Sequence, residues 1–473
     1  MLFNSFEFLL FFPIVAVVVY NIRHPAFRLP FLLAASYFFY MWWRPAYILL
    51  LLASTGVDYF AGLLIPRMES PARKRLILLT SIITNLGLLG VFKYFNFGVA
   101  SINGILGWAG STPLSLQANW VLPVGISFYT FQSMSYTIDV YQKRLEPERN
   151  PLRFALYVAF FPQLVAGPIE RGSRLLPQLK NLKPLTADRL QEGVVLIIWG
   201  LYKKMVIADG LARFVDPVFS RPEAHAGLAY LIAFYAFAIQ IFADFSGYTD
   251  IARGTGKILG VDLMENFRKP LFAYSIQDFW RRWNISLSAW LRDYLYIPLG
   301  GNRRGVFNTY RNLLLTMALA GLWHGASWTF VIWGIYHGVL LGIGEVIRTW
   351  LKTDDSEPSG LRRVIAQLAT FHLVSAGLVI FRAPDLQTAL LILKGSVWWT
   401  HSTMPALNYA LVVIILSTGI MLLAEAISGR QPTVDWIRQA STGAVLIPLM
   451  IWALIAIVLF SAGAGHQFIY FQF

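Results

Sequence analysis

The chain of 473 residues contains no cysteine and few charged residues. The absence of cysteine excludes disulfide bonds, thiolate metal ligands, a cysteine nucleophile and palmitoylation of this chain. Only 14% of the residues are charged and 56% are hydrophobic, whereas about a quarter of the residues of a soluble domain are charged. Long uncharged apolar runs recur, such as residues 29–43 and 227–242. We therefore predict an all-α integral membrane protein with roughly 10 to 12 crossings.

The basic residues lie in short loops between the apolar runs. Residues 1–22 have neither a basic n-region nor an A-x-A cleavage site, so they predict an uncleaved first helix. Basic clusters follow at Arg23 and Arg28 and again at residues 67–75, which makes both loops cytoplasmic and the N-terminus outward-facing. The net charge of +14 forms no solvated stripe, so we expect contact with membrane lipid and no nucleic-acid partner.

Several motifs of catalysis and ligand binding are missing. The sequence has no G-x-S-x-G elbow, no H-E-x-x-H zinc site and no acidic calcium loop. The stretch "GTGKILG" at residues 254–260 is not a phosphate loop, because Ile follows the lysine where Ser or Thr is required. We expect neither a metal nor a permanently bound cofactor.

The chain has no internal repeat, and we predict one polytopic domain over residues 1–473. Short helices and re-entrant pieces are expected between Asp139 and Asp188, and the polar stretch 352–363 is expected to join two helices. The stretch "DFWRRWNISLSAWLRDYLY" at 278–296 predicts one amphipathic helix. On its helical wheel the amide of Asn284 falls on the apolar side.

His324 lies in a run of 33 residues, 312–344, that contains no Asp, Glu, Lys or Arg. As one helix this run would extend ~50 Å, so it must be bent or split, and "GAS" at 325–327 is the expected break. An ionisable group at such depth is a functional candidate. Three interpretations stay open: a neutral imidazole bonded to a backbone carbonyl, a catalytic base, or a group on an ion or proton path.

Four other polar side chains lie within or beside apolar runs. For His337 and His372 we favour a packing role, with a proton relay as the alternative. On a straight helix His337 would not share a face with His324. Asp244 and Asp250 could mark the return of a helix to water or could line a polar route.

Eight stretches, in order and with matching spacing over about residues 1–400, give the chain a family resemblance. They are "LFNSFEFLLFFPIV" at 2–15, "STGVDYFAG" at 54–62, "LPVGISFYTFQSMSYTIDVY" at 122–141, "FFPQLVAGPIER" at 160–171, "DFSGYTDIARG" at 244–254, "DFWRRWNISLSAWLRDYLYIPLGGNR" at 278–303, "GLWHGASWTFVIWGIYHG" at 321–338 and "FRAPDLQTAL" at 381–390. The chain resembles the membrane-bound O-acyltransferase family, in particular its bacterial branch of alginate O-acetyltransferases, with the teichoic-acid D-alanyl transferase as a relative.

The resemblance implies a fold and two catalytic residues. The fold would consist of transmembrane, re-entrant and amphipathic helices around a central cavity open to both faces. The family histidine corresponds to His324. The second family position, an Asn in many members and a His in some close bacterial relatives, corresponds to Asn284, which favours an amide that orients the carbonyl or the base over a two-histidine mechanism.

The resemblance also implies a function. A multi-pass protein of the bacterial cell inner membrane would take an acetyl group from a cytoplasmic thioester, acetyl-CoA, for O-acetylation of an exported, alginate-like polysaccharide. Its partners would be a periplasmic SGNH-type O-acetyltransferase and the exopolysaccharide synthesis machinery. The alternatives are D-alanyl transfer, acetyl transfer to peptidoglycan or cellulose, an export channel using His324, Asp244 and Asp250, and a non-catalytic platform.

Overall fold

The computed structural model describes residues 1–165, 167–303, 305–351, 357–398, 409–428 and 446–461, and these residues form helices and loops with no strand. In chain order the first helices are α1 Phe6–Asn21, α2 Pro25–Met41, α3 Ile48–Arg67, α4 Pro71–Leu89, α5 Phe95–Trp108, α6 Ile126–Tyr141, α7 Pro151–Ala159, α8 Phe161–Leu164, α9 Gly172–Lys180 and α10 Ala187–Leu201. The later helices are α11 Asp209–Ser220, α12 Leu228–Ile258, α13 Ile276–Arg282, α14 Ile285–Leu291, α15 Val306–His324, α16 Trp328–Leu351, α17 Gly360–Arg382, α18 Leu386–Gly395, α19 Tyr409–Ile427 and α20 Leu446–Ser461.

The all-helical membrane architecture predicted from composition is confirmed. Five helical stretches of the described chain are long and apolar enough to cross a membrane: Pro45–Arg67, Pro71–Trp108, Leu228–Ile258, Trp328–Trp350 and Gly360–Arg382. Shorter apolar helices occupy Phe6–Asn21, Ala26–Met41, Leu386–Gly395, Val412–Ile427 and Met450–Leu459. The number of crossings, roughly 10 to 12, stays a prediction.

The helices group into two compact units. The first comprises residues 1–193 and 255–264, and the second comprises residues 194–254 and the described residues from 265 onward. Because residues 255–264 return to the first unit, the units are not consecutive segments of the chain. The prediction of a single domain over residues 1–473 stays a prediction.

The first unit is organised around buried carboxylates. Asp58 on α3 is fully buried and accepts hydrogen bonds from Ser81 on α4, from Asn85 Nδ2 (2.9 Å) and from Thr137 Oγ1 on α6 (2.9 Å). Glu170, also fully buried, accepts from the backbone N–H of Met264 at 2.5 Å. Each buried carboxylate is thus hydrogen-bonded to groups that are distant in sequence, which ties the helices of this unit together.

The second unit has a large core of aromatic and aliphatic side chains, and two glycines let its helices approach closely. Trp199, Tyr202 and Phe237 are all buried in this core. A Cβ at Gly200 would lie 2.6 Å from the carbonyl oxygen of Gly247 on α12, and a Cβ at Gly247 would lie 2.7 Å from that of Gly200. Only glycine fits such a backbone contact, as at small-residue crossings of membrane helices.

The structure also tests the predicted short helices after Asp139 and the predicted connection at residues 352–363. Short helices between Asp139 and Asp188 are confirmed as α7, α8 and α9, with residue 166 outside the described residues. The polar stretch 352–363 begins after α16, which ends at Leu351, but its last four residues form the start of α17 at Gly360; residues 352–356 are outside the described residues.

The prediction of one amphipathic helix over 278–296 is wrong. The chain forms α13, breaks at Trp283 and Asn284, resumes as α14 and ends in a wider turn over Arg292–Tyr296. Asn284 has φ 41°, in the left-handed region that interrupts a right-handed helix. A straight-helix wheel therefore does not describe this segment. Asn284 is nevertheless buried, as its place on the apolar side of the wheel predicted.

Candidate functional site

The helical hairpin α15–α16 holds His324 at its tip. Residues 325–327 separate the two helices, as predicted from the "GAS" stretch. A Cβ at Gly321 would lie 2.1 Å from the carbonyl oxygen of Phe330, and a Cβ at Gly334 would lie 2.1 Å from that of Met317. The two backbones are therefore in direct contact, which fixes the position of the last residue of α15.

His324 is buried among aromatic rings. Its side chain is 3% exposed, and its ring centroid lies 5.0 Å from Trp323, 5.1 Å from Trp333 and 5.4 Å from Phe381. All three neighbours stand at steep angles to the imidazole, between 73° and 90°. The rings form a fixed aromatic frame around the imidazole.

A small cavity adjoins His324, with room for about one water-sized group. Its wall is formed by Ile241 from α12, Phe279 and Trp283 from the α13 segment, His324, Trp333 and His337 from the hairpin, and Val374, Leu378 and Phe381 from α17. The two histidines are the only ionisable groups in this wall. His324 and His337 therefore supply the basic ring nitrogens of this wall.

The straight-helix comparison of His337 with His324 does not apply, because residues 325–327 separate α15 from α16. Both line the cavity, because the chain reverses at residues 325–327 and α16 runs back along α15. The ring of Trp333 contacts both, with its centroid 5.1 Å from that of His324 and 5.0 Å from that of His337. His372 does not line the cavity, and its Nδ1 lies 3.0 Å from the hydroxyl of Tyr235.

The structure encloses Asn284 but does not put it on the cavity wall. The residue is 1% exposed, and neither its Nδ2 nor its Oδ1 has a hydrogen-bond partner among the described residues. Its neighbour Trp283 lines the cavity and Asn284 does not. A buried amide without partners is costly, which makes this side chain a candidate for binding a further group.

Two buried lysines were missed by prediction from the sequence. Lys203 and Lys204 lie in a widened helical turn, Tyr202–Ala208, within the otherwise apolar stretch "LIIWGLYKKMVIA" at 196–208. Lys203 Nζ lies 2.5 Å from Asp250 Oδ2, and Lys204 Nζ lies 2.6 Å from Asp244 Oδ1. The sequence feature that could have revealed this site is the pair of adjacent lysines inside an apolar run, because buried cations need buried anionic partners.

The two aspartates considered for a polar route are therefore partners of these lysines. Asp244 and Asp250 are buried, so they do not mark a return to water. Neither lines the cavity beside His324. Among the described residues, no three His, Asp or Glu side chains are grouped as metal ligands would be.

The chain is similar in sequence to proteins of one known family. The sequence model of the membrane-bound O-acyltransferase family matches residues 148–374, which contain both Asn284 and His324. A probable alginate O-acetylase of Pseudomonas putida is 39% identical over 500 residues, covering 100% of this chain and 100% of the relative. The chain belongs to the membrane-bound O-acyltransferase family.

Other relatives in this family differ in what their names say they modify. A probable alginate O-acetylase of Azotobacter vinelandii is 42% identical over 448 residues, covering 94% of this chain and 87% of the relative. A peptidoglycan O-acetyltransferase of Helicobacter pylori is 37% identical over 428 residues, covering 84% and 80%. The family resemblance inferred from the sequence is confirmed, and the protein is an O-acyltransferase.

Proposed function

We propose that this membrane-bound O-acyltransferase moves an acetyl group from acetyl-CoA, across the bacterial inner membrane, for O-acetylation of an exported polysaccharide such as alginate. The observation that carries the proposal is His324, a buried imidazole that borders a small cavity in a chain similar over its whole length to a probable alginate O-acetylase. A cavity with room for about one water-sized group leaves no space for a long acyl chain.

His324 acts in this proposal as the general base. The acceptor hydroxyl attacks the thioester carbonyl while Nδ1 or Nε2 of His324 takes its proton. The C–S bond then breaks, and the CoA thiolate recovers the proton from the imidazolium, so that the products are an O-acetyl ester and CoA thiol. By the family resemblance, the amide of Asn284 would orient the carbonyl or the base; it is the neighbour of Trp283 on the cavity wall but does not line the cavity itself.

The hydroxyl that attacks would be carried by a periplasmic protein of the SGNH esterase type or by the polymer itself. The exopolysaccharide synthesis machinery would supply the polymer. The chain needs no permanently bound cofactor for this chemistry, since the thioester already carries the activated acyl group. The Helicobacter pylori relative favours peptidoglycan as the second candidate acceptor.

The test is acetyl transfer by the purified protein together with its periplasmic partner, using radiolabelled acetyl-CoA and alginate oligosaccharide. Because the chain has no cysteine, release of the CoA thiol can be followed with a thiol reagent without background from this protein. His324→Gln should lower the transfer rate at least a hundredfold. Transfer at the wild-type rate by folded His324→Gln would exclude the general-base role and favour the platform.

Asn284 needs a substitution that its backbone accepts. Because Asn284 has φ 41°, Asn284→Gly removes the amide without backbone strain, whereas Asn284→Ala adds strain. If the amide binds the carbonyl, Asn284→Gly should lower the rate about a hundredfold with little change in stability. Peptidoglycan fragments replace the oligosaccharide in a parallel reaction, and the polymer that receives label identifies the acceptor.

A further inference from the structure

The cavity wall contains polar groups that neither the general base nor the amide of Asn284 accounts for. Trp333 and His337 lie on one face of α16, four residues apart, and both line the cavity. Their side chains are 3% and 1% exposed. Within the described residues, Trp333 Nε1 and His337 Nδ1 have no hydrogen-bond partner.

These unmet groups argue against a packing role for His337. A histidine that only fills space in a membrane core is expected to bond a backbone carbonyl, because a buried polar atom without a partner is costly. His372 shows the ordinary arrangement, with the hydroxyl of Tyr235 at 3.0 Å from its Nδ1. His337 lacks such a partner at Nδ1 although it is 1% exposed, whereas His372 is exposed.

The ring of His337 is nevertheless held in a fixed place. It stacks on Phe279 at 15° with centroids 6.3 Å apart, and it meets Trp280 edge-on at 5.3 Å. On the α17 side, a Cβ at Gly377 would come within 2.9 Å of His337 Nε2, so glycine leaves the space that the imidazole occupies. A polar ring that is this well positioned and not hydrogen-bonded at Nδ1 is prepared for a ligand.

The hydrogen-bonding chemistry of Trp333 and His337 indicates which kind of ligand atom they would bind. The indole Nε1–H of Trp333 can only donate, and a neutral imidazole keeps one N–H donor. No carboxylate lines the cavity to accept from them. Two donors on the wall that holds His324 match an oxygen on which negative charge develops.

We propose that the N–H groups of Trp333 and His337 form an oxyanion-binding pair for the acyl carbonyl oxygen, on the wall of the cavity that His324 borders. The inference rests on the proposed acyl transfer and supplies two donors from the cavity wall, which Asn284 does not line. As the hydroxyl adds to the thioester carbon and His324 takes the proton, the carbonyl π electrons move onto oxygen. Trp333 and His337 stabilise that charge without transferring a proton, and the charge returns to the carbonyl when the C–S bond breaks.

Substitutions that keep an aromatic ring but remove the N–H donor test the pair. His337→Phe and Trp333→Phe should each lower kcat about a hundredfold, with KM changed less than about threefold, because the charge exists only in the transition state. His337→Gln keeps an N–H donor and should retain kcat within about tenfold of wild type. His372→Phe is the control for loss of an imidazole and should stay within about threefold, since His372 is exposed and lies off the cavity.

Each outcome has a distinct meaning. Wild-type protein that transfers no acetyl group contradicts the proposed function itself. Active wild type with His337→Phe and Trp333→Phe above a third of its kcat overturns only the oxyanion pair. A folded His337→Gln as slow as His337→Phe also overturns it, because ring packing and not the donor would then matter.

A spectroscopic measurement keeps the inference testable if His337→Phe does not fold. The carbonyl stretch of ¹³C-labelled acetyl-CoA is recorded by infrared difference spectroscopy on the inactive His324→Gln protein. Hydrogen bonds from the pair should shift the bound carbonyl band to lower frequency, and adding Trp333→Phe should reverse part of the shift. A band at its solution frequency, or a shift unaffected by Trp333→Phe, overturns the assignment.

Discussion

Replacing Lys204 with methionine should destabilise the second unit more than any change to a surface charge. Lys204 is 1% exposed, and its Nζ lies 2.6 Å from Asp244 Oδ1 and 2.7 Å from Asp209 Oδ1. Methionine fills nearly the same volume and keeps the aliphatic stem, so the change removes the positive charge and little packing.

The size of the stability loss depends on the two carboxylates, Asp209 and Asp244, that Lys204→Met leaves without their cation. At an effective dielectric of ~20, each pair at this distance attracts by about 6 kcal/mol, and desolvation of the three ions, several kcal/mol each, offsets much of that gain. The intact cluster therefore adds little net stability. Without Lys204 the two carboxylates stay buried and uncompensated, which costs about 3–5 kcal/mol.

The assay is unfolding in mixed micelles of a mild detergent and SDS, followed by tryptophan fluorescence. Lys204→Met should lower the free energy of unfolding by about 3–5 kcal/mol, and adding Asp209→Asn with Asp244→Asn should restore more than half of the loss. The control is Arg348→Met, which breaks the half-exposed pair with Glu345 and should cost under about 1 kcal/mol. A Lys204→Met protein within about 0.5 kcal/mol of wild type would refute the reasoning.

Two further changes test the hairpin and the first unit. Gly334→Ala places a Cβ 2.1 Å from the carbonyl oxygen of Met317, so the hairpin must separate, with an expected loss of about 1–3 kcal/mol; an unchanged thermal midpoint would contradict the observed contact. Partial burial acts to raise the pKa of Asp262, but hydrogen bonds from Lys183 and Arg189 outweigh it and hold the pKa below the ordinary carboxyl value. That stabilisation is present above the unfolded-state pKa of ~4 and is lost as the pH falls through the lower folded-state pKa. Asp262→Asn should therefore be less stable than wild type at neutral pH, with the difference closing below about pH 4 in a pH series of thermal midpoints.

The composition and the order of the motifs were sufficient to predict the class of protein and its family. The low share of charged residues predicted helices in a membrane, and the uncharged run 312–344 predicted a break at 325–327. The motif "WHG" identified His324 as a candidate site residue, and the structure places it beside a cavity. These signals are local in sequence, so no tertiary information was needed to read them.

The features that the sequence did not predict depend on where the chain bends and on how distant segments pack. A helical wheel assumes a straight helix and contains neither kind of information. His337 joins His324 only because the hairpin reverses the chain between them. Asn284 is buried at a break with positive φ, and no periodicity predicts that break. The partners of Asp244 and Asp250 are lysines some forty residues upstream, a pairing that only tertiary packing creates.

The central claim is that the acyl group reacts in the cavity that His324 borders. The most direct measurement is a cryo-electron microscopy structure of the His324→Gln protein with acetyl-CoA bound. We predict density for the acetyl group between α15, α16 and α17, with its carbonyl carbon within about 4 Å of the residue 324 side chain. An acetyl group held elsewhere, with side chains closing the cavity, would contradict it.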